Sequence, residues 1–221
     1  MTFDSKTMQK IDPVKRQETI NSDALNALSP MGNAEDFKPV KELQLEFGQL
    51  HPFFQMLYNE HVELNAKIEK LNQAVSIIAK EHVLSPQSLE LIKDFLDFFH
   101  NEFVPHNKKE EKLFFPLLHN RLLATQEHSQ GKNPFTGVKI LEDDHIHALR
   151  LGAILSNLVY LVSQINDFKS KNVLVNEIRK TSNELAECLE LHIFREDHIV
   201  FGLGQKLLTR SELDQIHSEL N

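Results

Sequence analysis

Residues 106–116 read HNKKEEKLFFP and place a histidine and a glutamate, His106 and Glu110, four positions apart. On either side, apolar residues recur at alternating steps of three and four. The recurring positions are Leu89, Ile92, Leu96, Phe99, Phe103, Leu113 and Leu117. Such spacing is typical of the buried seam of a helix in a bundle, and the two polar residues occupy seam positions. Because a buried polar group without a partner costs about 1–3 kcal/mol, the pattern predicts that another helix supplies partners for both.

A second copy of this pattern lies further along the chain, where residues 192–202 read HIFREDHIVFG. His192 and Glu196 again stand four apart within an apolar seam, 86 residues after the first pair. Upstream of each pair, a single histidine lies in another apolar stripe: His61, 45 residues earlier in the first copy, and His145, 47 residues earlier in the second. The spacing predicts a duplicated helical hairpin, each copy supplying one histidine and then a His-x-x-x-Glu pair.

The single histidine of the second copy has one competitor. His147 lies two residues after His145, on a stripe of its own that is nearly as apolar. Two features favour His145 as the buried residue: Leu141 on its stripe, and the agreement between the spacings of the two copies.

The same periodicity predicts the fold. Helical patterns cover about 52–81, a stretch that starts at Pro86, about 139–167 and about 171–201. A proline in the first helical turn and a serine cap before Pro86 mark the first two starts. No strand pattern interrupts these stretches, so the fold class is predicted as all-α, an up-down-up-down four-helix bundle.

The chain divides into two parts. Residues 1–39 form a polar, partly irregular N-terminal arm for which a protein-partner role stays open, and residues 40–221 form the bundle. A capping box at Thr209 predicts a short C-terminal helix. Pro105 and Pro116 lie inside the second helix and are expected to kink it, because each removes one backbone hydrogen bond.

Composition argues against several functions. The net charge of −8, without a basic cluster, disfavours a nucleic-acid or anionic-membrane partner. The single cysteine, Cys188, excludes an intramolecular disulfide and a cysteine-based metal site. No stretch reads as a membrane span of about 20 apolar residues, and the N-terminus lacks the apolar core of a secretory signal. A soluble, cytoplasmic protein without membrane or nucleic-acid partners is predicted.

Six polar residues on the seams are candidate metal ligands. They are His61, His106, Glu110, His145, His192 and Glu196. Imidazole and carboxylate without thiolate suit iron, manganese or zinc. Two bridging carboxylates and four capping imidazoles would hold two metal ions, with two histidines on each.

The motifs resemble those of the hemerythrin-like family, whose HHE cation-binding domains are non-haem di-iron four-helix bundles. The resemblance covers about residues 53–203. It rests on Glu60-His61, residues 106–116, Asp144-His145 and residues 192–201. It implies two iron ions with an oxo or hydroxo bridge, manganese or zinc being substitutes, with the four histidines as terminal ligands and the two glutamates as bridges.

The resemblance also implies a function, the binding or reaction of a small diatomic ligand, dioxygen or nitric oxide, at an open iron position. The oxygen-carrying hemerythrins have a further histidine four residues after the one on the third helix, where this chain has Leu149. Both irons are therefore expected to be accessible. The alternatives are an iron-handling or iron-centre repair protein and a metal-dependent sensor or interaction module. Whether the chain is an enzyme is not decided by its sequence.

Overall fold

The computed structural model of the chain describes residues 45–220, and every regular element in that range is helical. A single turn of 3-10 helix at Phe47–Gln49 precedes the long helices. The described residues form four long helices, α1 (Pro52–Glu81), α2 (86–124), α3 (Val138–Gln164) and α4 (168–207), and a short helix, α5 (Arg210–Glu219). The arm predicted for residues 1–39 lies outside the described residues.

Local sequence signals determine where several helices begin. Pro52 and Pro86 each stand in a first turn, where the missing backbone N–H needs no partner within the helix. The hydroxyl of Ser85 caps α2. Thr209 and Glu212 form the predicted capping box before α5. These starts agree with the sequence pattern.

The connection between α3 and α4 differs from the prediction. The carboxylate of Asp167 accepts a hydrogen bond from a backbone N–H of the next turn, so α4 begins at Phe168 rather than near residue 171. Ile165 is extended, with φ −94° and ψ 135°, and it ends α3 at Gln164 rather than near residue 167. The fourth helix also continues past residue 201, to Leu207.

Three π-turns interrupt the α-helical geometry. They lie at Phe99–Phe103 and Glu110–Phe114 in α2 and at Glu196–Val200 in α4. Two of them directly precede the segments that contain Pro105 and Pro116, and α2 continues as a helix through both prolines. The third is not followed by a proline. The last two each begin at one of the predicted bridging glutamates, and π-turns are frequent at functional sites.

The π-turn at Glu110–Phe114 corrects the predicted seam. Leu113 and Leu117 were expected in the core but are only half-buried. Phe114 and Leu118 lie there instead, at 0% and 1% exposure. A π-turn contains one more residue than an α-helical turn, so every side chain after it is displaced by one position around the helix axis.

The helices enclose two apolar clusters separated by a polar layer. α1 packs against α2 and α4, and α3 packs against α4. One cluster draws on residues 64–78, 92–103, 148–162 and 175–193. The other draws on residues 50–57, 114–122, 138–141 and 199–216. In α1 to α4 the predicted ligand residues fall where one cluster gives way to the other, so the bundle core changes from apolar to polar and back along its length.

Gly152 lets α3 approach α2 closely. A Cβ atom at this position would lie 2.5 Å from Cε1 of Phe99, and the surrounding core is closely packed. We expect Gly152→Ala to lower the free energy of unfolding by about 1–3 kcal/mol through overpacking, although alanine has the better helix propensity. Urea unfolding measures the effect. Gly48→Ala is the control, because a Cβ there meets nothing within 4 Å; equal effects of the two substitutions would contradict the prediction.

Helix α3 is more apolar than predicted, since no stretch of the sequence was expected to read as a membrane span. By length and composition alone Val138–Gln164 could cross a membrane, with a mean hydropathy of 1.4 over 18 residues, of which 28% are buried. Core helices of soluble proteins also reach such values. Most of this window is nevertheless not buried among the described residues, so the outer face of α3 is apolar.

Candidate metal centre

The structure brings all six predicted ligand residues together in the polar layer. Each is at most 3% exposed: His61, His106, Glu110, His145, His192 and Glu196. Their potential ligand atoms form two groups within which all the atoms lie within 4.8 Å of one another. One group has the histidines of α1 and α2, the other those of α3 and α4, and both contain the two glutamates. Each group could hold a cation, and the two groups have both carboxylates in common.

Within each group the two imidazoles meet through their Nε2 atoms. Nε2 of His61 lies 3.2 Å from Nε2 of His106, and Nε2 of His145 lies 3.2 Å from Nε2 of His192. Two bonds of about 2.1 Å from one cation, at an angle of about 90–110°, would place the nitrogens about 3.0–3.4 Å apart. The spacing in each pair therefore suits two ligands of one metal ion.

The two glutamates provide the negative charge at the centre. A carboxylate oxygen of Glu110 lies 3.4 Å from Nε2 of both His106 and His145. An oxygen of Glu196 lies 3.2 Å from Nε2 of both His61 and His192. Both carboxylates are fully buried, yet none of their oxygens has a hydrogen bond of good geometry. Buried carboxylates without hydrogen bonds are costly, and coordination of a metal ion would satisfy them.

The other ring nitrogen of three histidines is held by a carboxylate outside the centre. The pairs are His61 Nδ1 with Asp197 at 2.7 Å, His106 Nδ1 with Glu60 at 2.6 Å, and His145 Nδ1 with Glu111 at 2.9 Å. An imidazole that donates from Nδ1 directs the lone pair of Nε2 toward a metal, and such carboxylate partners raise its basicity. Asp197 directly follows Glu196 and Glu111 directly follows Glu110, whereas Glu60 directly precedes His61.

The fourth histidine is held differently. Nδ1 of His192 lies 3.7 Å from Oδ2 of Asp144, too far for a hydrogen bond, and that oxygen accepts one from Arg195 at 2.6 Å. In the first copy Lys109 takes the corresponding place and pairs with the other carboxylate oxygen of Glu60, leaving His106 its own partner. The two copies therefore differ in how firmly the second histidine is oriented.

A family model for the hemerythrin HHE cation-binding domain matches residues 53–203. The chain belongs to this family. The search of curated proteins found no match. The matched range contains all six clustered residues, and the buried His/Glu groups fit a metal-binding, hemerythrin-like protein. The short helix α5 lies beyond it.

Two side chains considered in the sequence, those of His147 and Leu149, lie outside the hemerythrin-like site. His147 is half-exposed and lies 3.3 Å from Glu184 at the surface, while His145 is fully buried. Leu149 is 39% exposed, and its neighbour Ala148 lies in the core instead. The turn of α3 after His145 thus offers only a methyl group to the interior.

Cys188, one turn before His192, is not part of either group. Burial, reinforced by the charge of Asp144, raises the pKa of its thiol to about 12. The thiol therefore stays protonated at neutral pH, and only thiolates are good metal ligands.

The sequence prediction missed two basic side chains that bind carboxylates next to the centre. Lys109 and Arg195 each stand three residues after a clustered histidine and reach a carboxylate that precedes a histidine on the neighbouring helix. A basic residue at the same place in both copies, HNKK and HIFR, was the signal available.

When no metal is bound, protons on the histidines supply positive charge beside the buried glutamates. Burial opposes charge on His61, but contacts with Asp197 and Glu196 outweigh it and raise the pKa to about 9. Burial also opposes charge on His192, where Glu196 and Asp144 raise the pKa to about 10. Burial alone would raise the pKa of Glu196, but the two imidazolium groups hold it well below its ordinary value. Metal uptake at neutral pH must therefore displace protons.

Proposed function

We propose that this chain is a di-iron protein that binds or reacts with a small diatomic ligand, dioxygen or nitric oxide. His61 and His106 would hold one iron, His145 and His192 the other, and Glu110 and Glu196 would bridge them. The observation that carries the proposal is the pair of Nε2–Nε2 distances, 3.2 Å each, around two buried glutamates without hydrogen bonds. Iron at this site would supply the electrons and the open coordination position.

The up-down-up-down order of the four long helices belongs to the same proposal. α1 and α2 are joined by residues 82–85, and α3 and α4 by residues 165–167. Connections this short favour antiparallel neighbours. That order would place the duplicated motifs at one level of the bundle, as the two groups require.

The surroundings of the site favour a small, uncharged ligand. Aromatic rings stack on the imidazoles, Phe201 on His61 with centroids 5.5 Å apart and Phe115 on His145 at 5.6 Å. With Ala148 in the core after His145, no fifth imidazole comes from this turn of α3. Apolar rings beside the imidazoles suit a diatomic molecule better than a charged or hydrogen-bonding substrate.

Reconstitution under anaerobic conditions tests the function. The chain is loaded with ferrous iron, metal content is measured, and absorption spectra are followed after addition of nitric oxide or dioxygen. We expect about two irons per chain, a nitric oxide adduct, and oxidation by dioxygen without a long-lived reversible adduct. One tightly held iron or none would overturn the proposal. An oxygenated spectrum that reverts under vacuum would instead indicate oxygen carriage.

The difference between Asp144 and Glu60, the carboxylates next to His192 and His106, favours one alternative, an iron-handling or repair protein. Asp144 is bound to Arg195 and leaves Nδ1 of His192 without a hydrogen bond, whereas Glu60 orients His106. A less firmly oriented ligand binds metal more weakly. The iron between His145 and His192 would then be the one that is given up.

Chelator kinetics measure this difference. We expect the loaded protein to release its two metals to a chelator in two phases whose rates differ by about tenfold. Arg195→Gln should slow the fast phase, because Asp144 becomes free to accept from His192. Lys109→Gln is the matched control and should change little, since Glu60 already accepts from His106. Release in one phase, or a fast phase unaltered by Arg195→Gln, would exclude inequivalent metal positions.

A further inference from the structure

Asn107 carries a buried amide that directly follows the clustered histidine His106 in sequence. The residue is 3% exposed, and neither Oδ1 nor Nδ2 has a hydrogen-bond partner among residues 45–220. The amide offers two donor hydrogens and an acceptor oxygen, and leaving them unpaired in the interior destabilises the folded chain. Native proteins retain few such groups, and a function in binding or catalysis is one reason for retaining them.

The neighbours of Asn107 on the surface of α2 all contact His145. Residues three and four apart lie side by side on a helix, so Phe103, Glu110 and Glu111 surround Asn107. The ring of Phe103 lies edge-on to the imidazole of His145, with centroids 6.3 Å apart. Glu110 approaches Nε2 of that imidazole to 3.4 Å, and Glu111 accepts from its Nδ1 at 2.9 Å. The amide is therefore on the side of α2 that faces the cation position between α3 and α4, the second position.

The second copy of the motif has an apolar residue in the corresponding place. Ile193 follows its histidine as Asn107 does, and it lies in an apolar cluster at 4% exposure. Asp197, four residues after Ile193, accepts from His61 at 2.7 Å. Ile193 therefore faces the cation position between α1 and α2, the first position. Since the fold accepts an apolar side chain in this place, packing does not by itself require the amide.

The two positions also differ in the side chain that follows the single histidine. Three residues after His145 is Ala148, and three residues after His61 is Leu64, both buried. The side chain from α3 therefore occupies less space beside its histidine than the side chain from α1 does. The second position thus combines a smaller neighbour with an amide that has no partner among the described residues.

We infer that Asn107 donates a hydrogen bond to the diatomic ligand at the second position, and that the ligand binds at this position rather than the first. The inference rests on the proposed function, since the ligand binds only to the loaded centre. A diatomic ligand accepts electron density from reduced iron, and a preorganised N–H group stabilises negative charge at the place where it develops. One amide among apolar rings is also the usual composition of a small-molecule site, in which a few polar groups orient the ligand.

Urea unfolding of the metal-free full chain tests whether the amide has a structural role. Leucine has a similar branched shape without polar atoms, so Asn107→Leu should raise the urea midpoint by about 0.5 M. A lower midpoint would show that the amide stabilises the fold and would overturn the inference. Ser182→Ala is the matched control, because Ser182 Oγ is also buried without a partner among the described residues. It lies ten positions before His192 on α4, which is about 15 Å along the helix.

Release of nitric oxide from the reduced, iron-loaded protein measures the hydrogen bond itself. Asn107→Leu should release nitric oxide about 3–10-fold faster than the wild type. The N–O stretching band should move to higher frequency, because the ligand then takes less electron density from the iron. Asn107→Ala, which removes the amide without adding volume, should show the same changes. Ser182→Ala should show neither, and the iron content of every variant should equal that of the wild type.

The outcomes separate this inference from the proposed function. A wild type that binds no iron or no nitric oxide would overturn both. A wild type that binds nitric oxide, with the same release rate and stretching band in Asn107→Leu and Asn107→Ala, would overturn the role of Asn107 alone. Equally fast release from Ser182→Ala would also overturn it, because the effect would then not depend on a donor beside the second position.

Discussion

Replacement of Glu196 by alanine is expected to abolish binding of both metal ions, whereas replacement of His61 by alanine should leave about one per chain. Glu196 belongs to both groups of ligand atoms and has an oxygen 3.2 Å from an imidazole of each. His61 belongs to one group only. Loss of a shared carboxylate removes a ligand and a negative charge from both positions, and loss of a terminal imidazole affects one.

Elemental analysis after reconstitution and removal of loosely bound metal measures this. Glu110→Ala should behave as Glu196→Ala does, since Glu110 is the other shared carboxylate. His147→Ala is the control and should keep the wild-type content, because its ring lies near Glu184 at the surface. Circular dichroism establishes that each variant is folded. Retention of one metal in both glutamate variants would show that the carboxylates are not bridges, and retention of two in all of them would exclude this site.

The protein without metal should be most stable between about pH 4.5 and 6.5 and should lose several kcal/mol as the pH rises toward 10. The folded-state pKa values of His61 and His192 are raised to about 9 and about 10, from an ordinary value of 6.5. Each imidazolium therefore contributes stability that is complete below pH 6.5 and is lost as the pH passes the folded-state value. One pKa unit corresponds to about 1.4 kcal/mol, so each shift amounts to roughly 3–5 kcal/mol.

The same stabilisation has a limit on the acid side. The pKa of Glu196 is lowered in the folded state, so its contribution is present above about pH 4.5 and is lost as the pH falls toward the lowered value. The contributions of Glu196 and the two histidines describe the same ion pairs and are not additive. Urea unfolding of chelator-treated protein from pH 4 to pH 10 gives the profile. The loss of unfolding free energy above pH 6.5 should be smaller in His61→Gln. An unfolding free energy that stays constant or rises above pH 6.5 would contradict these ion pairs.

The helical class and the identities of the clustered residues could be predicted from the sequence, because both depend on local periodicity. Apolar residues at steps of three and four define one face of a helix whatever it packs against. A histidine and a glutamate four apart share that face, and the repeat of the pattern 86 residues later identifies the equivalent pair. Caps such as Ser85 and Thr209 act within one turn of chain, so helix starts could be predicted as well.

Other features depended on packing between helices. The π-turn at Glu110 exchanged Leu113 for Phe114 in the core, and periodicity alone cannot locate an inserted residue. The pairing of Asp144 with Arg195 rather than with His192 depends on which cation lies nearest once α3 and α4 are packed.

The exposure of the apolar outer face of α3 also depended on packing between helices. Periodicity places its residues on a common face of one helix, but only the positions of the other helices show that this face is left outside the bundle. Spacing along the chain determined which residues share a face, and the tertiary structure decided what each face meets, because contacts between helices join residues far apart in sequence.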